Sequence, residues 1–124
     1  MKNLLILLAL AAGVPAQAGA GDKEPWAAPY KPLKGAYLIY GGSLGEQQAP
    51  TRTDRKVAIS IEGTAAKELF DAMQPDEKRT CTDAAGYRER RKGKVSCTYE
   101  PDSGYNCYFG FDLRTGKSIG GSIC

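Results

Sequence analysis

A chain of 124 residues with 17 Lys and Arg against 14 Asp and Glu carries a formal charge of +3, too small a bias to argue for nucleic acid as a partner. It contains no histidine, which removes the usual general base, the pH switch near neutrality and the commonest metal ligand. Its four cysteines, Cys81, Cys97, Cys107 and Cys124, all lie within the stretch 81–124.

The amino terminus reads as an export signal. Met1, Lys2 and Asn3 form a short region with one positive charge, and Leu4 to Val14 is an apolar run of 11 residues. Pro15 breaks the run, and Ala16-Gln17-Ala18 fits the small-x-small pattern that a signal peptidase cuts after. Ala18-Gly19-Ala20 offers a second cut site. Spanning a bilayer takes about 20 apolar residues, so residues 1–18 are expected to be a cleaved bacterial signal peptide, not an anchor. No cysteine follows the run, so a lipoprotein anchor is not expected, and no later stretch is apolar enough to be a transmembrane segment. The expected location is periplasmic or secreted. Cleavage after Ala18 leaves 106 residues (124 less 18) and lowers the charge from +3 to +2 with Lys2. That is enough for one domain with a thin core, of the kind that disulfides supplement in exported proteins.

Residues 19–35 read as an extended proline-rich arm. Pro25, Pro29 and Pro32 lie close together, and proline restrains its neighbours to extended geometry. Trp26 and Tyr30 are the expected anchors of this arm. Residues 36–124 read as a single α+β domain.

Ala36 to Tyr40 is rich in β-formers and ends at Gly41-Gly42, which predicts a strand. Ser43 to Arg55 is polar and reads as a long loop, a type that often presents contacts. Lys56 to Glu62 alternates, with Val57, Ile59 and Ile61 on one face, and predicts a half-buried strand. Gly63-Thr64 is expected to cap a helix running to about Met73. Ala66, Leu69, Phe70 and Met73 share one face of it, and Pro75 stops it. Burying Leu69 and Phe70 is worth roughly 1.5–3 kcal/mol each.

The remainder predicts a meander. Tyr87–Arg91 turns at Lys92-Gly93 into Lys94–Glu100; Pro101–Gly104 turns into Tyr105–Leu113; Arg114–Lys117 turns into Ser118–Cys124. The expected fold is a small antiparallel sheet of four to five strands with one helix on one face, stapled by disulfides. A mostly-β fold with one short helix is the alternative.

Two-residue turns set the expected disulfides. They place Cys107 opposite Cys124 and Thr98 opposite Cys107, so Cys97 and Cys107 would point to opposite faces. The expected pairs are Cys81–Cys97 and Cys107–Cys124, each closing about 17 residues for roughly 3 kcal/mol. A zinc site is not expected, because no two cysteines have close ligand spacing. No C-x-x-C redox pair is present either.

Several chemistries fail on residue type or spacing. Ser/Cys–His catalysis needs a histidine. Gly116-Lys117-Ser118 lacks the earlier glycine of a phosphate-binding loop, since position 111 is Phe. Ser60, Ser96 and Ser118 sit among lysines without catalytic spacing, and the acidic residues sit in ordinary surface contexts. No catalytic residue, cofactor or metal is assigned, and no enzyme activity is expected. Two carboxylates, or a lysine beside a serine, in one concave pocket would reopen that reading.

Two features are candidates for binding. Arg88, Arg90, Arg91, Lys92 and Lys94, offset by Glu89, make a hairpin with a local charge of +4. It either steers toward an anionic surface or simply keeps a sheet edge solvated. Tyr99 and Tyr108 are expected together on the face opposite Tyr105, Cys107, Phe109 and Phe111, as a recognition patch. The expected function is a secreted or periplasmic non-enzymatic binding protein, such as an inhibitor or immunity-type protein engaging another exported protein. The alternative is an envelope-associated protein whose basic hairpin contacts anionic polymer or lipid, with binding that falls steeply with salt.

Overall fold

The computed structural model describes residues 10–14, 24–27 and 29–124. The chain forms two compact units, Met1–Lys31 and Pro32–Cys124. The signal reading falls mostly outside the described residues. In the first unit Pro25–Ala27 forms a single 3₁₀ turn. Trp26 and Tyr30 are exposed.

The second unit has an α+β architecture: one helix on one face of an all-antiparallel sheet, with two disulfides. Its strands are β1 (Lys34–Gly42), β2 (Gln47–Gln48), β3 (Lys56–Glu62), β4 (Arg88–Lys92), β5 (Val95–Glu100), β6 (Gly104–Asp112) and β7 (Ser118–Ile119). The helix α1 spans Gly63–Ala72. The seven strands exceed the four to five expected, and the polar loop after β1 contributes one of them, the two residues of β2. The sheet order is β2-β1-β3-β6-β5-β4. β7 continues the β5 side of β6: β5 pairs with residues up to Tyr108, β7 with Gly110 and Phe111. No helix among the described residues is long and apolar enough to cross a membrane.

Val57, Ile59 and Ile61 share one face of β3 as read, but only Ile61 is buried there, and Ala58 is buried on the other face. Ile61 stands beside Cys107, Cys107 beside Cys97, and Cys97 beside Arg90, all on the helix side. α1 lays Ala66, Phe70 and Met73 onto that row, and Leu69 packs at its margin. Phe70 is fully buried and meets Tyr105 edge-on, with ring centroids 5.2 Å apart. The helix cap is Glu62, one residue before the expected pair, and it makes no side-chain capping bond. Gly63 instead turns the chain from strand into helix at φ +70°, a conformation that costs glycine little.

Both expected disulfides are overturned. The bonds are Cys97–Cys107 and Cys81–Cys124. The reason is register. Glu100 pairs with Gly104, so the connection holds three residues, Pro101 to Ser103, and not two. That one-residue slip places Cys97 directly opposite Cys107 on one face. The same slip sets Tyr99 opposite Tyr105, their rings 4.8 Å apart under the helix side. Tyr99 and Tyr108 therefore lie on opposite faces and form no common patch. At the last hairpin Gly110 pairs with Ile119, a shift of two from the expected register. β7 ends after Ile119, well short of the expected run to Cys124. Gly121 then crosses the backbone of Phe109 so closely that a Cβ there would meet the Phe109 oxygen at 2.2 Å. The tail reaches Cys81 across the face away from the helix.

Candidate functional site

Three features compete as the functional surface: the basic hairpin, a concavity on the face away from the helix, and the outer edge of β1.

The basic hairpin is β4-β5 with a two-residue turn at Gly93-Lys94. β4 alternates, so Arg88 and Arg90 face the helix side while Arg91 faces the other. Arg88 donates to Asp76 from Nε (2.8 Å) and from Nη2 (3.0 Å), and Arg90 Nε donates to the same carboxylate at 2.7 Å. Arg90 Nη1 also donates at 2.8 Å to the Phe70 carbonyl, one of the last of α1, which accepts from the Met73 N–H as well. Bonds from Arg88 and then Arg90 hold the Asp76 carboxyl well below the usual range, at about 2. Arg91 pairs with Glu89 on the far face. Among the described residues no carboxylate pairs with Lys92 or Lys94. The cluster that reads as +4 thus spends three of its five cations on internal carboxylates, leaving two lysines at the tip.

The concavity has a volume of about 460 Å³. Glu89 lies in its wall, 1% exposed. Glu89 Oε1 accepts from Tyr87 Oη at 2.9 Å and from the Cys81 N–H at 3.4 Å, while Oε2 accepts from Arg91. Burial, and then the bond to Glu89, push the Tyr87 phenol well above its usual range, so it stays a donor. The disulfide Cys81–Cys124 and the tail residues Ser122 and Ile123 close one side. Ser122 Oγ lies 3.2 Å from Ser96 Oγ. Tyr108 and Glu100 complete the wall, so two carboxylates do share one hollow. Glu89 is tied to three donors, as a structural carboxylate is.

The edge of β1 is different in kind. β3 covers one side of Lys34–Tyr40 over its full length. On the other side β2 pairs only with Gly41 and Gly42. Among the described residues no strand pairs with that outer side from Lys34 to Tyr40, so alternate N–H and C=O groups face outward. The strand is apolar there: Tyr37 is 75% exposed, Ile39 47% and Leu38 38%. α1 covers Ile61 but leaves this end of its face open, and Leu33, Tyr37, Val57 and Ile59 line a shallow groove of about 310 Å³. The usual protections of an edge strand, an inward charge or a proline, are absent within Gly35–Tyr40. Sequence reasoning placed this strand but missed its edge, because topology alone says which strand is outermost.

The long loop after β1 is well tied. The Gly42 N–H donates to Asp54 Oδ2 at 2.8 Å, Asp54 pairs with Lys56, and the Asp54 N–H donates to Thr51 Oγ1 at 3.0 Å. All four cysteines are held in disulfides. No group of three His, Cys, Asp or Glu side chains among the described residues is arranged to hold a metal ion. Comparison with protein-family models, with characterised proteins and with solved structures finds no match to this chain.

Proposed function

We propose that this chain is an exported, non-enzymatic binding protein of the inhibitor or immunity type. It takes an extended segment of another exported protein as an added strand on the outer side of β1. The observation that carries the reading is the unpaired, apolar edge Lys34–Tyr40. Its outward backbone groups repeat at strand spacing, which another extended polypeptide matches and a lipid or polysaccharide does not. The exposed side chains of Tyr37 and Ile39 then supply specificity on one face and Leu38 on the other.

Supporting features agree. Disulfides persist in oxidising compartments, in keeping with the signal read over residues 1–18 and an extracellular or periplasmic location. A rigid sheet loses little freedom on binding. The basic hairpin gives the anionic-polymer alternative less support, since only Lys92 and Lys94 keep uncommitted charge.

The test compares the oxidised chain with two variants, Tyr37→Lys/Leu38→Lys/Ile39→Lys at the edge and Lys92→Ser/Lys94→Ser at the hairpin, each checked for native melting. The expected result is a defined exported polypeptide retained by wild type and the hairpin variant but not by the edge variant. In that complex amides of residues 34–40 gain hydrogen-exchange protection. Retention on envelope material that needs Lys92 and Lys94 and vanishes at moderate salt would overturn the proposal. So would self-association abolished by the edge variant.

A further inference from the structure

We infer that the concavity between β4-β5 and the stapled tail is a binding site for a neutral, polyhydroxylated ligand of the saccharide class. The site lies on the sheet face away from the helix and is independent of the β1 edge.

Charge decides the class by elimination. Glu89 and Arg91 neutralise each other within the wall, and Glu100 adds one negative charge that accepts from Ser103 at 3.2 Å. An anionic ligand meets the net negative charge of Glu100. A cationic ligand finds the buried carboxylate already occupied by Arg91. An apolar ligand would strip water from Arg91, Thr98 and Glu100 without replacing their hydrogen bonds.

The remaining chemistry suits a sugar. Thr98 and Tyr108 line the hollow, and among the described residues their hydroxyls make no hydrogen bond. Tyr87 and Tyr108 place two aromatic rings on the wall, surfaces against which the C–H face of a pyranose packs. Arg91 and Glu100 are planar polar groups that can each bond two neighbouring hydroxyls. The volume of about 460 Å³ lies within the range of about 300–1,000 Å³ found for small-molecule sites. The Cys81–Cys124 bond holds both the Thr82 segment and the tail, so the wall is preorganised before a ligand arrives.

The test titrates the oxidised wild-type protein with cellobiose, maltose and diacetylchitobiose, followed by amide NMR shifts and calorimetry. At least one disaccharide should bind with saturating shifts at Thr98, Tyr108 and Ser122. Tyr108→Phe and Thr98→Val should each weaken that binding about fivefold or more with unchanged melting. The β1 edge variant should bind it as wild type does, which separates this inference from the strand-addition proposal. Absence of saturable shifts with all three sugars would overturn the inference, as would shifts confined to residues outside the hollow. Unchanged affinity in both hydroxyl variants would do the same.

Discussion

Arg90 lies over the ring of Phe70, its Cζ 4.2 Å from the ring centroid, while its Nη1 donates to the carbonyl of that same residue at 2.8 Å. One side chain thus caps the helix, covers its main core residue and grips Asp76. A residue that looks like part of a charged surface is in fact 9% exposed and belongs to the core boundary.

Truncating this pair should be costly in different ways. Phe70→Ala removes a fully buried ring and should cost about 3–5 kcal/mol. Arg90→Lys keeps the charge but loses the planar fork, which bonds Asp76 and the Phe70 carbonyl together. It should cost about 1–3 kcal/mol through the two bonds lost, while the Met73 N–H still serves the Phe70 carbonyl and Arg88 still holds Asp76. By contrast Lys92→Ser should fall within about 0.5 kcal/mol of wild type. Urea denaturation of the three variants measures all of this.

Acid should expose the Asp76 clamp. The folded carboxyl titrates at about 2, below its unfolded value of about 3.9. A depressed pKa contributes stability that is complete above the unfolded value and is lost as pH falls through the folded one. Wild type should therefore lose this increment between about pH 4 and pH 2. Asp76→Asn should be less stable at neutral pH and should show a flatter acid limb in that window. An identical acid limb in the variant would contradict the clamp.

The two disulfides should differ in access. Cys97 and Cys107 are fully buried beneath the helix, whereas Cys81 and Cys124 are exposed. Mild reductant followed by alkylation of the native protein should label Cys81 and Cys124 first. Label on Cys97 and Cys107 should appear only as the protein unfolds. The chain-entropy estimate gives the long bond, 43 residues apart, about 4 kcal/mol and the short one, 10 apart, about 3. Peptides joining Cys81 to Cys97 would contradict the pairing.

The elements were legible in the sequence where periodicity is strong. Val57, Ile59 and Ile61 alternate cleanly, and Ala66, Leu69, Phe70 and Met73 recur at helical spacing, so β3 and α1 lie close to where their residues place them. Register was not legible, because it depends on whether the connection between β5 and β6 holds two residues or the three from Pro101 to Ser103. That single ambiguity reversed the faces of Cys97 and Tyr99 and with them the disulfides. Asp76 and Glu89 were illegible as partners for a related reason. Residues 74–87 have no periodicity to say where they return to the sheet. The open edge of β1 depends on strand order, which no local pattern encodes.

Photocrosslinking inside cells addresses strand addition most directly. A benzophenone amino acid replacing Tyr37 reports the β1 edge, and the same replacement at Lys92 reports the hairpin tip. A covalent adduct from position 37, mapped to an extended segment of another exported polypeptide and absent from position 92, is the expected result. Adducts from position 92 with none from position 37 would contradict the β1 edge as the binding surface.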